Sequence, residues 1–272
     1  MKKIIISTIA AWAFIACLSG CEKENPFVFN DGEGAVDCAS MTVDYSSLTR
    51  AGEVDVNDFT VYFIDTATGA EVKNYRYAEL PSIVPLPVGN YKIVADYGEN
   101  PEADWEKPYY KGETGEFAVS ASDVTKFDGN VSCSLSNIRV VVNIDNLCLN
   151  AVGDARVEVK VGNSGTVLNY NSATNGKAGY FKYVEGSSSI TAVLSGTLNG
   201  EPISETVAFN DAAGGKSYTV NFTANTPENN DPGEIGGDGM LTIDSSITVA
   251  ESGTNVEVDK PYDDILEDDM RN

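Results

Sequence analysis

From about residue 35 onward, apolar and polar residues alternate with a period of two in short stretches broken by turn residues, and no long stretch follows the helical period of 3.6. The pattern predicts an all-β chain. Phe59, Val61 and Phe63 fall on one face of a strand, with Thr60, Tyr62 and Ile64 on the other, before a turn at Asp65-Thr66-Ala67-Thr68-Gly69. Tyr91, Ile93, Ala95 and Tyr97 share one face of another strand. The stretch from Val131 to Leu149 is the longest β-rich run, and at roughly 3.3 Å per residue it exceeds one ordinary strand. A bend or break is therefore expected near Ser136-Asn137, where a first domain hands over to a second.

The second region repeats the style, with short strand candidates at 156–161, 165–170, 179–183, 189–198, 203–209 and 217–222. Asn199-Gly200 supplies a hairpin turn between two of them. Strands spaced like this pack as two sheets per unit. The expected fold is two tandem β-sandwich domains of transthyretin-like or Ig-like type, at residues 35–136 and 137–225. Residues 226–239 hold Pro227, Pro232 and four Gly without a basic residue, and read as a linker. Residues 240–258 form a hairpin-like piece, with strand-like Leu241-Thr242-Ile243 and Ile247-Thr248-Val249, a turn at Glu251-Ser252-Gly253-Thr254, and alternation again from Asn255 to Val258. An isolated hairpin is marginal in water, so this piece is expected to borrow a sheet edge from its own chain or from a neighbour. Residues 259–272, with six acidic residues against Lys260 and Arg271, read as a disordered acidic tail.

Composition narrows the chemistry. The chain has no His, which closes off His-based triads, His acid–base catalysis and His-ligated zinc or haem. With 18 basic against 41 acidic residues the net charge is −23, a surface that repels nucleic acid and anionic head groups. No cofactor or metal is predicted: Asp231 to Asp238 lacks EF-hand spacing and its closing Glu, and reads as part of the linker. Acidic pairs are plentiful, but none stands apart as a glycosidase pair. Beyond Cys17 and Cys21, the cysteines Cys38, Cys133 and Cys148 lie in strand-like stretches. They are either buried free thiols or contain one disulfide, with the pairing open. A nucleophilic Cys would need an activator other than imidazole.

The amino terminus carries Lys2 and Lys3 before an apolar run, Ile4 to Leu18, that is shorter than the roughly 20 residues a membrane span requires. It ends in Leu18-Ser19-Gly20-Cys21, which resembles the lipobox of bacterial lipoproteins. That resemblance implies removal of residues 1–20 as a signal peptide, acylation of Cys21 with palmitate-like chains, and attachment to the outer membrane through the lipid. Glu22-Lys23-Glu24-Asn25 resembles the acidic, lysine-containing stretch that sends lipoproteins of Bacteroidetes to the cell surface. Glu22, Lys23 and Glu24 would then act as a surface-export signal at the start of a flexible tether, residues 21–34.

Three further segments carry a family resemblance: Leu86-Pro87-Val88-Gly89-Asn90-Tyr91-Lys92-Ile93-Val94-Ala95, then Lys107-Pro108-Tyr109-Tyr110-Lys111-Gly112, then Val131-Ser132-Cys133-Ser134-Leu135-Ser136-Asn137-Ile138-Arg139-Val140. Their order resembles the DUF4493 family of Bacteroidetes lipoproteins over roughly residues 35 to 225. It is distantly similar to fimbrial anchor and accessory proteins built from transthyretin-like sandwiches. No catalytic residues come with the resemblance. Gly89 is expected in a turn with positive φ, and Tyr91 at the sandwich edge, its ring inside and its hydroxyl bonded to backbone.

The most suggestive surface segment is Asn100 to Tyr110, where Trp105, Tyr109 and Tyr110 stand beside carboxylates and an amide, the materials of a sugar-binding surface. The competing expectation is that these rings pack into the sandwich edge. The chain reads as a lipid-anchored, non-enzymatic protein of the cell envelope, facing the exterior and acting in surface binding or assembly with a glycan or a protein subunit. The alternative is a glycan-binding surface lipoprotein of a polysaccharide-utilisation system.

Overall fold

A computed structural model of the protein describes residues 29–46, 54–163, 165–186, 188–225 and 241–250. The predicted signal peptide, the linker, the acidic tail, and Cys21, Glu22, Lys23 and Glu24 lie outside the described residues.

The first half contains β1 (Glu33–Asp37), β2 (Thr42–Ser46), β3 (Thr60–Asp65), β4 (Glu71–Arg76), β5 (Ile83–Pro87) and β6 (Gly89–Tyr97). It continues with β7 (Ala103–Trp105), β8 (Tyr110–Glu113), β9 (Phe117–Val119), β10 (Val124–Lys126) and β11 (Asn130–Leu135). One sheet has the order β10-β1-β5, and the facing one runs β2-β11-β8-β6-β3-β4, with β9 also paired to β6. The pairs β1/β10 and β2/β11 are parallel. The alternation read from sequence sets the core: Phe59, Val61, Phe63, Ile93 and Ala95 are fully buried, joined by Val84, Leu86, Tyr91 and Val131. The turn after β3 is made by its own residues. The Asp65 carboxylate accepts from the N–H groups of Ala67 and Thr68 at 2.8 and 2.9 Å, and Gly69 takes φ of 71°.

The second half contains β12 (Ile138–Ile144), α1 (Asn146–Ala151), β13 (Val152–Val161), β14 (Val167–Tyr170) and β15 (Ala178–Phe181). After them come β16 (Ile190–Leu198), β17 (Glu201–Phe209), β18 (Ser217–Asn225) and β19 (Thr242–Ala250). Its sheets run β19-β18-β12-β15-β7 and β14-β13-β16-β17, around a core that includes Val140, Val142, Val157, Val159, Ile190, Leu194, Val220 and Phe222. The break expected at Ser136-Asn137 separates β11 from β12. Asn199 and Gly200 both have positive φ, 53° and 85°, and join β16 to β17 by a two-residue turn.

Two expectations change. Cys148 and Leu149 belong to α1 rather than to a strand, because the Asp145 carboxylate accepts from the Cys148 N–H and caps a helical turn there. Gly89 does not have positive φ; it lies in β6 beneath the Tyr91 ring, where a Cβ would sit 3.4 Å from the ring. The Tyr91 hydroxyl does donate to the Pro87 carbonyl, at 3.0 Å. The strand-like residues after the linker form one nine-residue strand, β19, paired antiparallel to β18 of its own chain from Asn225↔Thr242 to Ser217↔Ala250. Residues 251–258, the rest of the predicted hairpin, lie outside the described residues.

Candidate functional site

The aromatic segment at 100–110 leaves the first core and crosses to the second. Its strand β7 pairs with β15 through Gly179↔Trp105, Tyr180↔Asp104 and Phe181↔Ala103, and so becomes an edge strand of the second half's larger sheet. The half-buried Trp105 ring meets the buried Tyr170 ring edge-on at 4.6 Å, and the Lys177 ammonium lies 5.7 Å from its centroid. Tyr109 is half-buried and donates its hydroxyl to Asp96 at 3.0 Å. Burial and the neighbouring Asp96 charge push the Tyr109 phenol well above its usual range. Tyr110 is buried in the first core against Tyr45. The three rings flagged in the sequence therefore do not share one platform.

Around this crossover the two halves are tied together. Tyr180 of β15 is buried in the first core, and the buried Asn137 amide donates to the Lys107 carbonyl at 3.0 Å, while the Ser136 N–H, bonded to the Tyr109 carbonyl at 2.8 Å, continues the β8/β11 pairing up to the junction. Lys182 pairs with Glu102, and Lys177 with Glu106, each at 3.1 Å. The ion pairs are exposed and contribute little, so the backbone bonds and the Trp105 contact carry the joint.

Cys38 and Cys133 are buried in the first core and Cys148 in the second, all as free thiols. Burial first, then nearby carboxylates, pushes Cys38 and Cys133 up to about 12 and Cys148 up to about 11. Near neutral pH they stay protonated and behave as small hydrophobes. Among the described residues, no group of three or more Cys, Asp or Glu is placed to hold a metal ion.

A polar concavity lies elsewhere, at one end of the second core. Three loops meet there, those joining β13 to β14, β15 to β16 and β17 to β18. They form an open cleft of about 480 Å³ lined by Asn163, Tyr183, Ser188, Ser189, Asn210 and Asp211, with Ala212 buried beneath. The loops are cross-tied: Gly162 N–H donates to the Ser189 carbonyl at 2.8 Å, and Ala212 N–H to the Ser188 carbonyl at 2.9 Å. Sequence periodicity runs a strand to Tyr183, but β15 ends at Phe181, which leaves Tyr183 exposed in the loop. The signal available was an aromatic residue three positions before Gly186 and the serines that follow it.

A family model described as Domain of unknown function (DUF4493) matches residues 32–260. Among solved structures, a fimbrial assembly protein from Parabacteroides distasonis is similar at 9% identity, with 77% of this chain and 98% of that chain covered and a TM-score of 0.42. A candidate adhesin from Bacteroides ovatus is similar at 11% identity, covering 82% and 96%, with a TM-score of 0.43. A candidate polysaccharide-binding protein (DUF1812) from Bacteroides thetaiotaomicron is similar at 11% identity, covering 70% and 91%, with a TM-score of 0.39. No curated protein matches the chain.

Proposed function

The chain belongs to the DUF4493 family, and on that premise we propose that it is a lipid-anchored, non-enzymatic protein of the cell envelope that acts in surface binding or assembly. The observation that carries this reading is the crossover. With β7 lodged in the second half's sheet, Tyr180 of β15 buried in the first core and the Asn137 amide bonded to the Lys107 carbonyl, the two cores are joined at several points and resist swinging. A stiff spacer suits a subunit that presents a surface or bears load, whereas catalysis between two domains commonly relies on hinge closure. The thiols support the non-enzymatic side: each is buried and protonated, and the chain has no imidazole to activate one. The anchor rests on the lipobox ending at Cys21, and the outward orientation on Glu22, Lys23 and Glu24.

Cells producing the protein and fed a clickable palmitate analogue should label the wild-type chain and not Cys21→Ala. A protease added outside intact cells should cut the wild-type chain. Equal labelling of both chains removes the anchor, and protection from the protease removes surface display.

A second reading, a glycan-binding surface lipoprotein, is favoured by the polar cleft beside Tyr183. Its ligand would be a neutral polyhydroxyl compound rather than nucleic acid, which the net charge of −23 opposes.

A further inference from the structure

We infer that the three-loop cleft at the end of the second core is the site where the protein takes a neutral oligosaccharide, with the Tyr183 ring as its stacking platform; the inference rests on the glycan-binding reading. The ring is supported on one side. A Cβ built on Gly214 would lie 2.9 and 3.0 Å from Cδ1 and Cγ of Tyr183, so Gly214 provides the flat space on which the ring rests. Tyr183 also lines the cleft and keeps about a third of its surface in solvent, 36%. An aromatic face carries negative partial charge and attracts polarised C–H groups, which a pyranose presents on its flat side.

The rest of the lining suits hydroxyl groups. Asn163 and Asn210 offer amides, Ser188 and Ser189 hydroxyls, and Asp211 a carboxylate, so donors and acceptors both face the cleft. None of the described lining residues is Lys or Arg, and Asp211 adds a negative charge, which disfavours phosphate, sulfate or uronic acid groups. The small side chain of Ala213 lets a ring approach the loop backbone, and the Ala213 N–H is already held by the Tyr218 hydroxyl at 2.8 Å. The volume lies within the roughly 300–1,000 Å³ of small-molecule sites. The cross-ties from Gly162 to Ser189 and from Ala212 to Ser188 hold the loops in place before binding, which reduces its entropic cost.

The test is a glycan array carrying neutral, sialylated and sulfated oligosaccharides, probed with the mature chain in detergent as wild type, Tyr183→Ala and Tyr183→Phe. Tyr183 lies outside both cores, so all three should melt together. Binding to neutral glycans that falls roughly tenfold in Tyr183→Ala and stays within about twofold in Tyr183→Phe supports the site. Undiminished binding by Tyr183→Ala overturns this site and leaves the glycan reading standing. Binding confined to sialylated or sulfated glycans overturns the neutral class. Absence of wild-type binding to any glycan overturns the site together with the glycan reading, and leaves assembly.

Discussion

The first core closes with strands that lie within residues 33–135, whereas the second takes both edge strands of its larger sheet from elsewhere in the chain. In the first, Phe59, Phe63 and Tyr91 are fully buried, and Phe59 has the Tyr45 and Tyr97 rings at 5.8 and 5.3 Å. In the second, Tyr170, Phe181, Tyr218 and Phe222 are fully buried among Val140, Val142, Val157, Val159, Ile138 and Ile190. Its larger sheet is flanked by β7, which comes from between β6 and β8, and by β19, which comes from beyond the 226–239 segment. An edge strand leaves backbone groups unpaired and a flank of the core open. The second core covers both flanks with imported segments, so its integrity depends on residues far from it in sequence.

The strongest way to break this comparison is to end the chain after Asn225. Leu241, Ile243 and Ile247 pack against the second core, near Ile203, Val207 and Phe209, and Ser245 donates to Glu205 at 2.9 Å. Removing three half-buried apolar side chains is expected to cost about 3 kcal/mol. Hydrogen exchange should show β12 and β18 losing protection while β3 and β6 keep theirs. Loss of protection throughout, or in neither half, would show that the cores do not differ in this respect.

Trp105→Ala attacks the other imported edge. It should lower the melting temperature by an amount near the low end of the roughly 3–5 kcal/mol that Trp truncation costs in a core, because the ring is half-buried. Loss of glycan binding with an unchanged melting temperature would instead make Trp105 a ligand platform.

The smallest expected effect tests a feature the two cores share, through pH. Cys38 and Cys133 in the first core are pushed up from 9.0 to about 12, and Cys148 in the second from 9.0 to about 11. Below pH 9 both folded and unfolded chains keep these protons. Between pH 9 and the raised values only the unfolded chain releases them, so stability falls as pH rises through that window. Thermal melts followed by circular dichroism between pH 8 and 10.5 should fall for the wild type and flatten by similar amounts in Cys133→Ala and Cys148→Ala, because both folded thiols keep their protons over that range. Identical slopes in all three would refute the thiol contribution.

Much of this molecule was legible in local pattern. The faces of β3 and β6, the Asp65 turn, the Asn199-Gly200 hairpin and the break at Ser136-Asn137 each follow from residues within a few positions of one another. The cap that Asp145 places on α1 was hidden because Asn146 to Ala151 continues a β-rich run, and one carboxylate decides its conformation. For the candidate sites, the sequence pointed at the Asn100 to Tyr110 rings, whose environment depends on a crossover that no local signal announces. Tyr183 carries no such signal, because the local alternation continues through it although β15 ends at Phe181.

The sequence by itself determined the all-β class, the spacing of strands and turns, the exclusion of imidazole chemistry and the acidic surface, because each depends on residue type or on periodicity over a few positions. Only the tertiary structure decided that β7 belongs to the second core, that β19 pairs with β18, and that three loops meet around Tyr183. Those outcomes depend on which strand edges and apolar flanks remain open once the sheets have formed, and strand pairing between distant segments leaves no mark in the local alternation of either partner.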